Sequence, residues 1–202
     1  VCAEHGIIAS LGHTEADYDT TLGVIAQAKE LGLTVTATHL FNAMPAIHHR
    51  APGTVAALLT AAKAGDVAVE LIADGVHLVD GIVDMAHSHR AFAVTDAMAA
   101  AGMADGDYEL GSLPVTVSGG VARVASGAIA GGTSTLAQQF QRFAARHSLG
   151  EAVRFTSTTA AGVLGQEHLG RIAPGARAHL VGLNAQLEPV RVIVDGADIP
   201  LS

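Results

Sequence analysis

The chain has 202 residues, half of them hydrophobic and 15% charged, with a mean hydropathy of +0.39 and a net charge of −8. That balance excludes a disordered chain. No run approaches the roughly 18 apolar residues of a membrane span, and the acidic surplus argues against nucleic acid as the main partner. The single cysteine, Cys2, cannot form an internal disulfide, so the expectation is a reducing, cytoplasmic setting with Cys2 buried as a small apolar side chain.

The chain opens on Val1-Cys2-Ala3-Glu4-His5-Gly6 with neither an initiator Met nor a secretory leader, which reads as a piece of something longer. The apolar run Ile7–Leu11 has the length of a buried strand and leads into Gly12-His13. Thr21–Leu31 reads as a helix closed by Gly32, and Thr34–Thr38 as a second strand leading to His39. Pro52 sits near the start of a second helix, Thr54–Ala64, closed by Gly65. Val67–Ala73 is a third strand, followed by Asp74-Gly75-Val76-His77. Ile82–Arg90 is a helix with basic residues at its end, and Ala91–Thr95 is a fourth strand running into Asp96. The strand runs show little alternation, the pattern of parallel strands covered on both faces.

This strand–helix rhythm of about 25–30 residues implies βα units and a parallel sheet, either an open doubly wound sheet or part of a (β/α)8 barrel. Four consecutive strands each deliver a titratable side chain at the C-terminal end. A barrel gathers such ends at one mouth, whereas an open sheet spreads them along an edge, so the barrel is favoured. Residues 105–130 are Gly-rich and β-like, with Gly119-Gly120 as a hairpin turn. Two helical segments follow, about Ser134–His147 and Leu149–Gly162. The strand-like runs Ala178–Leu183 and Val190–Val194 suit a small antiparallel sheet. The expected architecture is therefore α/β: a partial (β/α)8 barrel over residues 1–165, with a β-hairpin insertion at about 105–130, and strands of a small β-sandwich over 166–202.

His13 and His39, at the ends of neighbouring strands, can converge on one metal ion, since neutral imidazole is a common zinc ligand. The plain alternative is a pair of hydrogen-bonded loop histidines. Asp96 can ligate a metal or relay a proton, or simply cap the next turn. Arg50, in His48-His49-Arg50-Ala51-Pro52-Gly53 ahead of a helix, suits a phosphate. His77 is a further candidate at the end of the third strand. Gly127–Thr135 opens a helix but lacks the Gly-Lys-Ser/Thr ending of a nucleotide-binding loop.

Gly12-His13-Thr14, Thr38-His39-Leu40-Phe41-Asn42-Ala43-Met44-Pro45, Ile72-Ala73-Asp74-Gly75-Val76-His77 and Val94-Thr95-Asp96-Ala97 occur in an order that resembles the N-acetylglucosamine-6-phosphate deacetylases of the amidohydrolase superfamily. The tail Gly170-Arg171-Ile172-Ala173-Pro174-Gly175 and Val192–Gly196 is similar to that superfamily's C-terminal sandwich strands. The resemblance implies that His13 and His39 ligate a divalent metal, zinc or alternatively iron, and that Asp96 is the catalytic acid/base. It implies that Asn42, Ala43, Arg50 and His77 contact the sugar phosphate, and that Ile129, Ala130 and Gly131 line the sugar. It further implies a homodimer in which Arg50 reaches the neighbouring site. The reaction implied is deacetylation of N-acetylglucosamine-6-phosphate. The alternatives are another amidohydrolase acting on cyclic amides, or a non-catalytic sugar-phosphate-binding module. In that family a glutamate from an earlier strand completes the metal site. Glu4 does not stand in its context, so the expectation is weak metal binding by this chain alone.

Overall fold

In the computed structural model, which describes residues 1–201, a parallel sheet is built from four short strands in chain order: β1 (Ala9–Leu11), β2 (Val35–Ala37), β3 (Val67–Leu71) and β4 (Ala91–Ala93). Ala9 pairs with Val35, Val35 with Val67, and Val69 with Ala91. The helices between them are α1 (Tyr18–Glu30), α2 (Gly53–Ala64) and α3 (Asp80–Ala86). Asp17 starts α1 by accepting a hydrogen bond from the Thr20 amide at 2.8 Å. Gly65, at φ +85°, ends α2 in the left-handed conformation that a Cβ would strain. α3 stops earlier than the sequence suggests, because His87 turns to an extended conformation and Ser88–Arg90 lead into β4.

One face of the sheet makes the main core. Val35, Ala37, Val67, Val69, Leu71, Ala91 and Ala93 pack with Ile25, Val55, Leu58 and Val83 of the helices, and with Phe143 and Phe155 from further along the chain. Alternation places Ser10, Thr36 and Glu70 between those residues, and their side chains hydrogen-bond to one another. The sequence suggested apolar cover on both faces. Strands of three to five residues are too short for a period of two to stand out in a sequence.

β5 (Gly106–Leu110), β6 (Leu113–Ser118), β7 (Val121–Val124) and β8 (Ile129–Gly131) form an antiparallel sheet over a second small core of Met98, Ala100, Val115, Val117 and Ala122. Its Gly119-Gly120 turn is positive in φ at both residues and is held by the Asp105 carboxylate. An isolated parallel bridge between Ala97 and Gly132 joins the end of β8 to the segment after β4. Two helical segments follow, α4 (Leu136–Ala144), then α5 (Leu149–Val153) and α6 (Thr159–Val163), the last two joined by a π-helical turn over Arg154–Thr158. Thr135 and Gln138 form a capping box on α4, and Ser148 and Glu151 another on α5. The C-terminal strands β9 (Leu180–Leu183), β10 (Pro189–Val194) and β11 (Ala197–Ile199) make a separate antiparallel sheet in the order β11-β10-β9. Cys2 is exposed, which corrects its expected burial, because the short turn holding it packs no buried residue. No helix among the described residues is long and apolar enough to cross a membrane.

Candidate active site at the strand ends

His13, His39, Asn42, Ala43, His77 and Asp96 follow the C-terminal ends of their strands by two to six positions, and Arg50 lies further along the loop after β2. Four carry non-glycine left-handed backbone: His13 at φ +46°, His39 at +29°, Ala43 at +53° and Asp96 at +48°. Such conformations cost about 1–3 kcal/mol each and persist where the surroundings over-determine them, commonly at functional sites. Phe41, at +78°, extends the strain through the loop after β2.

His13 and His39 come together. Their Nε2 atoms are 2.9 Å apart and their rings meet edge-on at 4.7 Å between centroids. His39 is buried and its Nδ1 has no hydrogen-bond partner among the described residues, whereas His13 is exposed. At 2.9 Å the two nitrogens are within hydrogen-bond distance, the plain alternative; sharing one tetrahedral ion at bond lengths of about 2.0–2.1 Å needs them about 0.4 Å further apart, a small shift of the exposed His13 ring. They are two donors and no more: among the described residues no group of three His, Cys, Asp or Glu side chains is arranged to hold a metal ion. The residues present therefore fit a zinc-like ion as part of its ligand set.

Beneath His39 lies a polar network that the sequence did not reveal. Glu70 of β3 accepts from Thr36 Oγ1 at 2.9 Å and Ser10 Oγ at 3.4 Å, and its second oxygen accepts from the His39 amide at 3.4 Å. Ser10 Oγ and Thr38 Oγ1 are 2.5 Å apart, joining β1 to the end of β2. The signal in the sequence was a hydroxyl or carboxylate interrupting each of three apolar strands.

After β3, Asp74 organises its own loop. Its Oδ1 accepts from the Val76 and His77 amides, both at 2.8 Å, and its Oδ2 lies 2.7 Å from His77 Nδ1. Both side chains are nearly fully buried. Burial pushes the Asp74 carboxyl up, but the hydrogen bonds from His77, Val76 and its own turn outweigh it and hold the group below the usual carboxylate value. An ionised Asp74 fixes the proton of His77 on Nδ1 and leaves Nε2 for a ligand.

Asp96 is exposed, and its carbonyl accepts from the Gly132 amide at 2.6 Å. That bond sets the Asp96 segment beside Ile129–Gly131, so the expected acid/base and the expected sugar-lining strand are neighbours. Asn42 spends its Nδ2 on the His39 and Leu40 carbonyls, at 3.0 and 3.4 Å. Its Oδ1 accepts from no donor among the described residues. Arg50 is exposed, and it is its backbone N–H that bonds, to His48 Nδ1 at 3.3 Å.

No family model matches the chain. The chain is 35% identical over 198 residues to N-acetylglucosamine-6-phosphate deacetylase of Vibrio furnissii, an alignment covering 95% of this chain and 48% of that protein. It is 37% identical over 164 residues to a putative N-acetylgalactosamine-6-phosphate deacetylase of Escherichia coli K12, covering 78% of this chain and 96% of that one. Among solved structures, N-acetylglucosamine-6-phosphate deacetylase of Thermotoga maritima superposes with a TM-score of 0.88 at 33% identity, covering all of this chain and 55% of that one. A mutant Mycobacterium smegmatis enzyme in complex with N-acetyl-D-glucosamine-6-phosphate superposes at 0.85 with 40% identity, covering 96% of this chain and 52% of that one. The chain thus spans about half the length of most of these relatives. It belongs to the family of N-acetylglucosamine-6-phosphate and N-acetylgalactosamine-6-phosphate deacetylases.

Proposed function

We propose that the chain carries the metal-binding histidines, the acid/base and the sugar-phosphate contacts of a deacetylase that hydrolyses N-acetylglucosamine-6-phosphate to glucosamine-6-phosphate and acetate. The observation that carries this reading is the meeting of His13 and His39 through their Nε2 atoms at the ends of adjacent strands. The parallel sheet is read as part of a (β/α)8 barrel with its active mouth at those ends, and the tail strands as part of a small β-sandwich. The remaining metal ligand is read as a glutamate outside these 202 residues.

His13 and His39 would hold a divalent ion, zinc or alternatively iron, which when bound would supply Lewis acidity to the acetamide carbonyl and to the attacking water. Asp96 accepts a proton from that water as the tetrahedral carbon forms, then returns it to the departing amine nitrogen. His77, with its Nδ1 proton committed to Asp74, and Asn42, through Oδ1, orient the sugar. Ala43 and the strand Ile129–Gly131 line it. Arg50 neutralises the phosphate, reaching across a dimer interface into the neighbouring site. A cytoplasmic location fits the single cysteine and the phosphorylated substrate.

The test is acetate release from N-acetylglucosamine-6-phosphate and, in parallel, ring opening of a dihydropyrimidine, with the chain alone and with the chain supplemented by the N-terminal half of the Vibrio furnissii relative. The expected result is release from the acetamido sugar in the supplemented form, reduced about 10²–10⁴-fold by Asp96→Asn. Unchanged turnover in Asp96→Asn, or turnover of the cyclic amide alone, contradicts the proposal.

A further inference from the structure

Gln139 sits in the first turns of α4, fully buried beside the core. A primary amide has one carbonyl and two N–H groups to place, and burial makes each unplaced one costly. Here all are placed. Oε1 accepts from the Ala73 amide at 3.1 Å, and Nε2 donates to the Val94 carbonyl at 3.2 Å and to Ser134 Oγ at 3.1 Å. The three partners belong to three different loops. Ala73 immediately precedes Asp74 and its pair His77, and Val94 lies two residues before Asp96. Ser134 closes the Gly132–Ser134 segment that follows the sugar-lining strand.

We propose that Gln139 is a positioning residue that sets the loops bearing His77, Asp96 and Ile129–Gly131 in register with one another. The inference rests on the deacetylase reading for the roles of those residues, but the register itself is a property of the fold. The Val94 amide already donates to the Leu71 carbonyl at 3.0 Å, and Gln139 carries that link past the strand ends, one side chain spanning the loops after β3 and β4. The neighbouring bonds complete the frame: the Gly132 amide donates to the Asp96 carbonyl, and the Met98 amide donates to the Gly132 carbonyl at 3.0 Å. The amide is chemically specific here. An ionised glutamate at position 139 still accepts from Ala73 but sets a carboxylate oxygen against the Val94 carbonyl and cannot donate, whereas a protonated one can keep one of the two donor bonds, so the variant is read at a pH high enough to ionise it. A methionine loses all three bonds at nearly constant volume.

The experiment is residue-resolved amide hydrogen exchange on the full 202-residue chain, with the ring 15N shifts of His77, for the parent, Gln139→Met and Gln139→Glu. Leu58→Ala serves as a control for general loss of core stability. Gln139→Met is expected to speed exchange at both Ala73 and Gly132 by roughly tenfold beyond the control and to shift the His77 ring signals. Gln139→Glu is expected to speed Gly132 while leaving Ala73 protected. If Gln139→Met does not fold, the split in Gln139→Glu alone decides. The proposal is overturned if either folded variant leaves both amides at parent rates, if Gln139→Glu moves the two sites equally, or if the changes match those of Leu58→Ala. In the supplemented enzyme the same variants are expected to lower kcat with a smaller change in KM. Absence of turnover in every form, with the exchange pattern as expected, counts against the deacetylase reading and not against the register.

Discussion

Gly132→Ala is the substitution from which the geometry predicts most. A Cβ on Gly132 collides with the Thr95 carbonyl oxygen and lies 3.2 Å from the Asp96 carbonyl oxygen, both backbone atoms with no side chain to swing aside. The Gly132 amide also donates the 2.6 Å bond to Asp96. Forcing a methyl into such a contact costs about 1–3 kcal/mol, and loss of the bond adds about 1 kcal/mol, for a total of about 2–4 kcal/mol. In a chain of this size that corresponds to a Tm lower by roughly 5–15 °C. If the chain relieves the clash by moving the Asp96 segment about 1 Å, turnover in the supplemented enzyme falls about 10²-fold as well. The control is Gly23→Ala inside α1, where a Cβ meets nothing within 4 Å and helix propensity predicts a gain of about 0.5–1 kcal/mol. Urea and thermal denaturation read both. A Gly132→Ala protein within about 0.5 kcal/mol of the parent would refute the claim that β8 and the Asp96 segment are locked backbone to backbone.

Asp74→Ala removes three hydrogen bonds from a nearly buried loop and is expected to destabilise the chain by about 2–3 kcal/mol at neutral pH. Because the folded carboxyl lies below its unfolded value, its contribution is present above about pH 4 and lost as pH falls through the folded value. The gap between parent and variant in urea titrations should therefore narrow in acid. His87 packs against Phe143 and Phe155 at 4.9 and 5.6 Å between ring centroids, and also faces His147, Glu151, Asp84 and Arg154. Burial first, and the neighbouring His147 second, hold its imidazole below the usual value despite the two carboxylates. The unfolded chain then binds the proton more readily, so stability is expected to decline as pH falls below about 6.5, and His87→Leu should flatten that decline. Equal pH slopes for parent and His87→Leu would refute this.

The parallel strands and their order of titratable residues were legible because apolar runs, glycine caps and the position of each His or Asp just after a strand are local features. Gly32 and Gly65 marked helix ends that the structure places within a residue or two. What could not be read depends on which side chain meets which across the sequence. Glu70 looked like one polar residue in an apolar strand until register set it beside Thr36 and Ser10. Gln139 looked like an ordinary helix residue, and its three partners lie five to sixty-six positions away. The single helix expected over Leu149–Gly162 contains a π turn, where Thr156 Oγ1 bonds the Ala152 carbonyl and Phe155 enters the core. His77 was visible as a candidate after the third strand, but its buried, charge-assisted bond to Asp74 was not.

Zinc titration of the 202-residue chain by calorimetry, set beside His13→Ala and His39→Ala, tests the central claim most directly. Two imidazoles facing each other at 2.9 Å predict one weak site, with a Kd of about 1 µM or higher, weakened at least tenfold by either substitution. Zinc binding that is unchanged in both variants would contradict the account, because the two histidines would then not be the ligands.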